Sequence, residues 1–455
     1  MTTRRVLSLI LLTGLALRFL ILAATSDLGP RIVDEQHYRD LALNLLEGRG
    51  FASATGPTSL RPPLYPAMMA AIWSVAGAAN YQAVRVVQIA LGMATAALVC
   101  WLGRTLWNDR AGLFAAAIVA FYPTLVLTNF LLLTETVFTF LLTAFVAIAV
   151  ALVGRPGLLT AAAAGGVLAL AALTRSIAWP LPVVLVPLLL WALPGPLVRR
   201  FAMAACLTAA FVAVIAPWSV RNTRLQRVPV VIDTIGGLNL MMGNYAHTPH
   251  RRIWDAVSMR GDKNWVTGIP AEPPGGGQWT EGQKERWARA QAVEYMRQHP
   301  VQTLWRSIIK ATDFWALDRD FIAGIAQGLF SPPAALGWLL SLAMLVAFPL
   351  VLGLAVLGAW FTPPDWRIHV LLLLMVFFFT ALHAIVFGHP RYRLPLTPIF
   401  ALYAGAALAA RSYRRLRDGW PSAAVPAGVM AAFAGVWVIQ FVVRDWPRVK
   451  NFLGD

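Results

Sequence analysis

The feature that most constrains this chain is a succession of long apolar runs separated by short charged segments. Hydrophobic residues make up 58% of its 455 positions and charged residues only 13%, whereas soluble domains carry about 25% charged residues. An apolar run of about 20 residues can cross a bilayer as a helix. The sequence therefore predicts an all-α polytopic membrane protein with about eleven spans, which we place at residues 6–24, 83–106, 111–127, 130–153, 158–173, 177–193, 201–218, 334–360, 369–387, 394–410 and 423–443.

Two apolar segments allow a second interpretation. The run at 6–24 follows Arg4 and Arg5 as the core of a signal peptide would, but its length suits a membrane anchor better, and no convincing cleavage site follows it. We expect it to be the first span, with the N-terminus inside. The segment at 64–77 is short and opens with prolines, so it could either cross or lie at the interface.

The arginines decide the orientation, because loops on the cytoplasmic side of a membrane are rich in Lys and Arg. If segment 64–77 does not cross, the C-terminus is outside and the arginines of the short loops are inside; if it crosses, they move outside, against the rule. The first arrangement divides the chain into a transmembrane module at 1–218 with an outer first loop at 25–82, a longer outer loop at 219–331 and C-terminal helices at 332–455. The loop arginines are Arg104, Arg110, Arg155, Arg199, Arg200, Arg367, Arg411, Arg414, Arg415 and Arg417.

This orientation gathers other charged residues at the outer ends of the spans. Charge near lipid is costly and tends to be retained for function, so the pattern predicts one polar site. The net charge of +17 has two sources to consider, the basic inner loops and an anionic ligand. The outer charged residues are Asp34, Glu35, Arg61, Glu135, Arg175, Arg391 and Arg393.

Asp34 directly precedes residues 35–47, whose apolar positions predict an amphipathic helix on the membrane surface. The helix dipole would favour its carboxylate form, and an ionised carboxylate at a membrane-edge cavity can act as a general base. The alternative is that Asp34 merely caps the helix.

Arg61 opens the string Arg-Pro-Pro-Leu-Tyr-Pro, in which the prolines stiffen the backbone and begin a new helix. A guanidinium held rigidly at the interface can grip a phosphate with two hydrogen bonds. Arg391 and Arg393 flank Tyr392 at the mouth of a late span and suit the same ligand. For all three arginines the alternative is anchoring to lipid headgroups.

The remaining motifs are less specific. Glu135 and Arg175 could pair with each other or bind a ligand. In the long loop, the string from Gly236 to Asn244 permits tight turns near a ligand but lacks the Walker spacing, and residues 281–298 have a helical pattern. Both cysteines lie inside apolar runs, which argues against a disulfide framework. The outer histidines match no zinc pattern, so a metal is possible but unsupported; they are His37, His247, His250 and His389.

Taken in order, these motifs resemble the bacterial C-superfamily (GT-C) glycosyltransferases, in the group that contains protein O-mannosyltransferases and the lipid A aminoarabinose transferase. The resemblance covers most of the chain and rests on the order of the motifs and their sidedness. The motifs are the acidic pair Asp34-Glu35, Arg61-Pro62-Pro63-Leu64-Tyr65-Pro66, Glu135 at a span start, Gly236-Gly237-Leu238-Asn239-Leu240-x-x-Gly243-Asn244, and Arg391-Tyr392-Arg393-Leu394-Pro395-x-x-Pro398.

The resemblance implies a polyprenyl-phosphate sugar donor, an active site on the outer face of the bacterial inner membrane, and inversion at the anomeric carbon. It makes Asp34 the catalytic carboxylate, with Glu35 completing the acidic pair, and it places Arg61, Arg391 and Arg393 at the donor phosphate. The aminoarabinose transferase has a lysine where Arg61 stands, and the O-mannosyltransferases carry a large added domain that this loop lacks. Further substrate-binding candidates are Tyr65, Glu135, Arg175, Asn239, Asn244 and Tyr392.

The expected function is an inverting transfer of a sugar from the polyprenyl-phosphate donor to a hydroxyl of a glycan, lipid or protein acceptor. No cofactor is required by this scheme, although a divalent metal is possible, and the partners are membrane lipids rather than nucleic acid. The alternative is a transporter or flippase of lipid-linked sugars, for which buried charges would also be suitable. The absence of an internal repeat and the one-sided charges favour the enzyme, and a scaffold would leave those charges unexplained.

Overall fold

The computed structural model describes residues 2–25, 28–274, 276–326, 328–329, 332–414 and 423–446. Arg415 and Arg417, which we used to orient the chain, lie outside these ranges. Within these ranges the regular structure is helical apart from a short antiparallel pair, Ala52–Ser53 with Gly56–Pro57. In chain order the helices are α1 Thr3–Ala24, α2 Val33–Leu46, α3 Leu64–Ala76, α4 Tyr81–Leu106, α5 Asp109–Phe121, α6 Pro123–Thr128, α7 Glu135–Gly154, α8 Leu158–Thr174, α9 Leu181–Ala192, α10 Leu197–Gln226, α11 Gly236–Gly243, α12 Glu281–Gln298, α13 Pro300–Phe314, α14 Asp320–Ala326, α15 Ala334–Phe361, α16 Trp366–Ile385, α17 Thr397–Ala410 and α18 Ala424–Gln440.

Membrane-spanning helices dominate the described part of the chain, so the protein is a multi-pass membrane protein, as predicted. By length and composition, 8 helical segments among the described residues can cross a bilayer. Three shorter apolar segments accompany them, Leu64–Ala76, Leu158–Thr174 and Ser176–Ala192, and the predicted number of eleven is not confirmed. The eight are Thr3–Ala24, Tyr81–Leu106, Glu135–Gly154, Leu197–Gln226, Ala334–Phe361, Trp366–Ile385, Pro390–Ala410 and Ala424–Arg444.

Segment 64–77 forms helix α3, which is only 13 residues long. A helix of that length extends about 20 Å, well short of the hydrocarbon core of about 30 Å. Met69 and Trp73 of α3 are buried, and the helix packs against α2. Its length favours the arrangement in which this segment does not cross.

The predicted span at 111–127 is wrong as a single helix. Helix α5 ends at Phe121, Tyr122 has extended backbone angles, and α6 begins at Pro123. Proline has no N–H to donate and disfavours a helical conformation in the residue before it. The next helix, α7, begins only at Glu135, which leaves residues 129–134 outside any helix.

Polar side chains from α1 and α4 satisfy the backbone at this break. Arg18 donates to the carbonyl of Ala120 at 2.7 Å and Arg85 to that of Phe130 at 2.9 Å. Gln88 donates to the two carbonyls that flank Phe130 in sequence, each at 2.9 Å. Non-helical backbone at membrane depth is tolerated only where such partners exist. The segment therefore has a defined shape, and it fixes where α7 and Glu135 begin.

Small residues let the spans approach closely. Helix α8 packs along α10, and a Cβ added at Gly165 would lie 2.1 Å from the carbonyl oxygen of Leu207. Only glycine permits that approach, which is typical of helix pairs in membranes. The main hydrophobic core runs between these helices and α4, α5, α7, α15, α16 and α17.

The long loop at 219–331, which we predicted to be outside, contains α11 to α14. Its predicted helix at 281–298 is confirmed as α12. We expected the glycine-rich string to form tight turns. It forms helix α11 instead. Gly237 donates its N–H to Glu285 Oε1 at 3.0 Å, and a Cβ there would lie 2.2 Å from the carbonyl oxygen of Glu285. These glycines therefore bring α11 against α12.

Candidate active site

Five charged side chains from distant parts of the sequence meet at one end of the helix assembly. Each stands at the end of an element: in the first turn of α2, before α3, at the start of α7, after α8, and in the 3-10 helix Pro390–Leu396. We call this group the charge cluster, and its members are Asp34, Arg61, Glu135, Arg175 and Arg391.

The charge cluster is a continuous chain of ion pairs. Asp34 Oδ1 lies 2.6 Å from Arg61 Nη2, and Asp34 Oδ2 lies 3.1 Å from Arg391 Nη2. Glu135 Oε1 lies 2.6 Å from Arg391 Nε and 2.7 Å from Arg175 Nη1. Three guanidinium groups and two carboxylates leave one positive charge in excess. The cluster therefore has arginines whose present partners are carboxylates and which an anionic ligand could engage.

The cluster is open on one side. The side chains of Asp34 and Arg391 are 28% and 21% exposed, whereas that of Glu135 is 1% exposed. Glu135 thus lies beneath the surface and orients Arg391 and Arg175 from below. Its pairing with Arg175 was one of the two alternatives from the sequence, and the geometry supports it.

Asp34 is ionised at neutral pH because of its arginine neighbours. Burial alone would raise the pKa of its carboxyl, but Arg61 and Arg391 outweigh that effect and lower the pKa to about 2. Helix α2 begins two residues earlier than predicted, and its N-cap is Ile32. The alternative in which Asp34 merely caps the helix is therefore wrong.

Glu35, the other member of the acidic pair, faces away from the charge cluster. Its carboxylate accepts the backbone N–H groups of Arg31 at 2.8 Å, Ile32 at 2.9 Å and Leu132 at 2.8 Å, and the residue is 2% exposed. These bonds tie the start of α2 to the segment before α7. The geometry gives Glu35 a positioning role, and its catalytic role stays a prediction without geometric support.

Arg61 and Tyr65 of the proline-rich string lie in different surroundings. The Arg61 guanidinium lies over the ring of Tyr38, 5.6 Å from its centroid, and 3.3 Å from His37 Nδ1. Tyr65 is fully buried and donates its hydroxyl to Gln88 at 2.8 Å. Arg61 is thus held in the cluster rather than extended toward lipid, and Tyr65 supports the helix packing below it.

Only one of the two arginines predicted at the mouth of the late span, Arg391 and Arg393, lies in the charge cluster. Arg391 belongs to the cluster, but Arg393 is 2% exposed, pairs with Asp318 and donates to the carbonyl of Phe314 at 2.8 Å. A 3-10 helix turns about 120° per residue, so side chains two positions apart point in different directions. The predicted phosphate contact of Arg393 does not fit this placement.

The other substrate-binding candidates are near neighbours or lie elsewhere. Tyr392 has Arg175 over its ring at 5.4 Å and stacks on His383. Asn244 accepts from Lys310 Nζ at 2.8 Å and is committed to the outer loop. Asn239 is half-buried on α11. Of these three, only Tyr392 touches a member of the charge cluster.

One acidic residue near the cluster was missed from the sequence. Asp233 lies between α10 and α11, and its Oδ2 is buried without a hydrogen-bond partner. Burial raises the pKa of its carboxyl to about 6, although Ser176, Ile235 and Arg61 act against that rise. The sequence signal for Asp233 was a carboxylate directly after the apolar string 228–232. Burying a charged group there costs free energy, so such a residue is a candidate for a functional role.

Within the residues that the structure describes, no group of three or more His, Cys, Asp or Glu side chains could hold a metal ion. Cys100 and Cys206 are free thiols. The carboxylates of the cluster have arginine partners instead.

No protein-family model matches this chain, and no curated protein matches it. Solved structures do. The oligosaccharyltransferase AglB from the archaeon Archaeoglobus fulgidus, in complex with an inhibitory peptide and a dolichol-phosphate, is 12% identical with a TM-score of 0.53, over 96% of this chain and 55% of that chain. Its apo form is 13% identical with a TM-score of 0.53, over the same shares. ArnT from Cupriavidus metallidurans bound to undecaprenyl phosphate is 14% identical with a TM-score of 0.39, over 88% and 78%.

The chain spans about half the length of the archaeal oligosaccharyltransferase. At such low identity the likeness concerns the fold alone. The protein is an all-α membrane protein, as predicted, and it shares its fold with the archaeal oligosaccharyltransferase.

Proposed function

We propose that this protein is an inverting glycosyltransferase that moves a sugar from a polyprenyl-phosphate donor to a hydroxyl of a glycan, lipid or protein acceptor. The observation that carries the proposal is the charge cluster, in which Asp34 is held between Arg61 and Arg391 at an open face. The archaeal oligosaccharyltransferase of the same fold was solved with a dolichol-phosphate, a ligand with the chemistry that such arginines suit.

The arginines would bind the donor phosphate. Guanidinium groups grip phosphate oxygens with paired hydrogen bonds, and the cluster already carries an excess of one positive charge. Arg61 and Arg391 would exchange Asp34 for the phosphate, while Arg175 remains paired with Glu135. The same contacts stabilise the charge that grows on the phosphate as the sugar leaves it.

This exchange would also activate Asp34. While both arginines hold it, the low pKa of Asp34 makes it a weak proton acceptor. Once phosphate oxygens engage the arginines, their pull on the carboxylate weakens and its pKa rises. Asp34 then takes the proton of the acceptor hydroxyl, the hydroxyl oxygen bonds to the anomeric carbon, and the carbon–oxygen bond to phosphate breaks. The electron pair leaves with the polyprenyl phosphate, so no general acid is needed.

The orientation supports an outer active site. Helices α7, α8 and α17 each have one end at the charge cluster and the other at Arg155 or Arg411. Near those inner ends, Thr3 donates to Asp109 at 2.7 Å, and Trp107 donates to the carbonyl of Thr362 at 2.7 Å. The N-terminus and the arginine-rich junctions therefore share one face. By the positive-inside rule that face is cytoplasmic, and the cluster faces the periplasm of a bacterial inner membrane.

The decisive test is Asp34→Asn, which keeps the size of the side chain and removes the proton acceptor. The purified variant should fold, bind undecaprenyl phosphate, and transfer sugar from a panel of polyprenyl-phosphate sugars about 10²–10⁴-fold more slowly than wild type. Asp40→Asn is the matched control, because Asp40 is exposed on the same helix and pairs with Arg39. Released polyprenyl phosphate is the readout.

Near-normal turnover by Asp34→Asn would contradict the mechanism. Movement of the donor lipid across vesicle membranes without any new glycosidic bond, by the wild-type protein, would instead support the flippase alternative.

A further inference from the structure

Asp233 has no role in the transfer proposed above, yet the fold holds it firmly. The carbonyl of Ile232 accepts from Trp218 Nε1 at 2.8 Å and from Asn222 Nδ2 at 2.7 Å. On the other side of Asp233, the backbone N–H of Thr234 donates to the carbonyl of Ser59 at 3.0 Å. The backbone is therefore fixed on both sides of the carboxylate.

These bonds place Asp233 at the edge of the charge cluster. Ser59 stands two positions before Arg61, and Ser176 directly follows Arg175. The Ser176 hydroxyl lies near enough to the Asp233 carboxylate to stabilise it, and Arg61 and Asp233 each shift the pKa of the other. Asp233 thus lies between the Arg61 side and the Arg175 side of the cluster.

The buried polar atoms without a hydrogen-bond partner include Asp233 Oδ2 and Arg61 Nε, which belong to side chains that interact electrostatically. Buried polar atoms are nearly always hydrogen-bonded, so each exception calls for an explanation. Nε carries a hydrogen to donate, and the carboxylate oxygen accepts. A hydroxyl both accepts and donates, and it is the group that satisfies such a pair.

We propose that Asp233 and Arg61 Nε form a hydroxyl-binding subsite, which holds a sugar hydroxyl beside the reacting groups. The inference rests on the proposed function, because Arg61 Nη2 faces the donor phosphate there. The hydroxyl belongs to the donor sugar or to a sugar acceptor, and its chemistry is the same in both. Asp233 is then a residue that binds and selects the substrate, since a buried polar site rejects analogues that lack the matching hydroxyl.

Asp233→Asn is the sharpest variant. Its amide keeps one oxygen that can accept, whereas an amide N–H replaces Oδ2. Two donors then face the hydroxyl, whose own hydrogen is left without an acceptor. Ser176→Ala keeps the carboxylate but removes a group that positions it, so a smaller effect in the same direction is expected. Asp255→Asn is the control, a half-buried acid of the same loop paired with Arg252 at 3.8 Å.

The experiment measures binding of two probes to the full protein in nanodiscs: undecaprenyl phosphate, and polyprenyl phosphates that carry mannose, glucose, galactose or arabinose. If the donor supplies the hydroxyl, Asp233→Asn binds the sugar-free lipid as wild type does and binds the preferred sugar lipid about tenfold more weakly. If the acceptor supplies it, both affinities are unchanged and the acceptor KM rises about tenfold. Equal weakening for both lipids, or no change in affinity or KM, would overturn the inference.

The outcomes of this experiment also distinguish a failure of the subsite from a failure of the proposed function. Wild-type protein that binds neither lipid, or Arg61→Ala protein that binds both like wild type, contradicts the proposed function and the subsite with it. Normal wild-type binding and transfer, together with an Asp233→Asn variant that matches wild type, contradicts the subsite alone. Thermal unfolding of each variant shows whether the fold is intact.

Discussion

Arg61 owes its position to the residues around it. Pro62 and Pro63 restrict the backbone directly before α3, the ring of Tyr38 supports the guanidinium, and Asp34 pairs with it. A guanidinium held in this way is preorganised for a planar, two-point contact, which a flexible ammonium cannot copy.

We therefore expect Arg61→Ala to weaken binding of undecaprenyl phosphate by about 1.5–3 kcal/mol, the range for hydrogen bonds to charged groups. Arg61→Lys should restore only part of that loss, because a point charge lacks the fork. Arg39→Ala is the control, an arginine of α2 paired with Asp40 at 2.7 Å. Lipid binding by nanodisc titration is the measurement, and an unchanged affinity in Arg61→Ala would leave headgroup anchoring as the better account.

Glu35 allows a test that separates positioning from catalysis. Glu35→Gln turns one carboxylate oxygen into a donor that faces backbone N–H groups. We expect the free energy of unfolding to fall by about 1–3 kcal/mol, with transfer per folded molecule largely retained. Thermal unfolding in detergent and transfer assays measure the two effects. Glu47→Gln, an exposed acid at the end of the same helix, should change neither.

A Glu35→Gln protein with wild-type stability and no transfer would restore the catalytic role that the acidic pair implies.

At the scale of elements, helix α13 exposes apolar side chains and buries charged ones. Val301, Leu304 and Trp305 are exposed, while Arg306 and Lys310 of the same helix are fully buried. The exposed stripe suits the edge of a bilayer. The buried face joins α13 to the C-terminal end of α16, where Lys310 Nζ donates to Asn244 Oδ1 and to the carbonyl of Ile385, each at 2.8 Å.

Lys310 makes the stability of this joint depend on pH. Burial lowers the pKa of its ammonium to about 7, and nearby Arg306 adds to the effect. Between about pH 7 and the unfolded value near 10.4, the unfolded chain keeps the proton and the folded chain does not. Stability should therefore rise with pH across that window, by at most about 1.4 kcal/mol per pH unit from this group.

Lys310→Met should abolish that part of the slope when unfolding is followed in detergent from pH 7 to 10. Lys284→Met, which removes an exposed lysine of α12, should keep it. An identical slope in wild type and Lys310→Met would show that Lys310 does not titrate in this range.

At the scale of the whole molecule, sidedness is the property to test. Reporter fusions after Arg110 and after Arg414 should both read cytoplasmic, and a fusion after Arg260 in the outer loop should read periplasmic. The reason is the arginine bias of the short junctions and their shared face in the fold. A periplasmic signal after Arg110 would reverse the orientation and place the charge cluster inside.

What the sequence by itself determined is the class of protein, most of its helices and the position of its charges at the ends of the spans. Hydrophobicity over about 20 residues and arginine bias are properties of local composition, so they can be read without knowing any contact. The helix at 281–298 was predictable from its helical pattern, which is also a local property of the sequence. The break between α5 and α7 was signalled by Pro123, but the apolar run concealed it.

Only the tertiary structure decided which of these charges meet. Asp34 and Glu35 are adjacent in sequence, yet one joins the cluster and the other binds backbone, and Arg391 and Arg393 divide in the same way. Side-chain direction depends on the rotation of each helix and on what packs against it, which no single segment encodes. Asp233 reaches the cluster because bonds to Ser59, Trp218 and Asn222 carry its loop there, and Ser59 is far away in the chain.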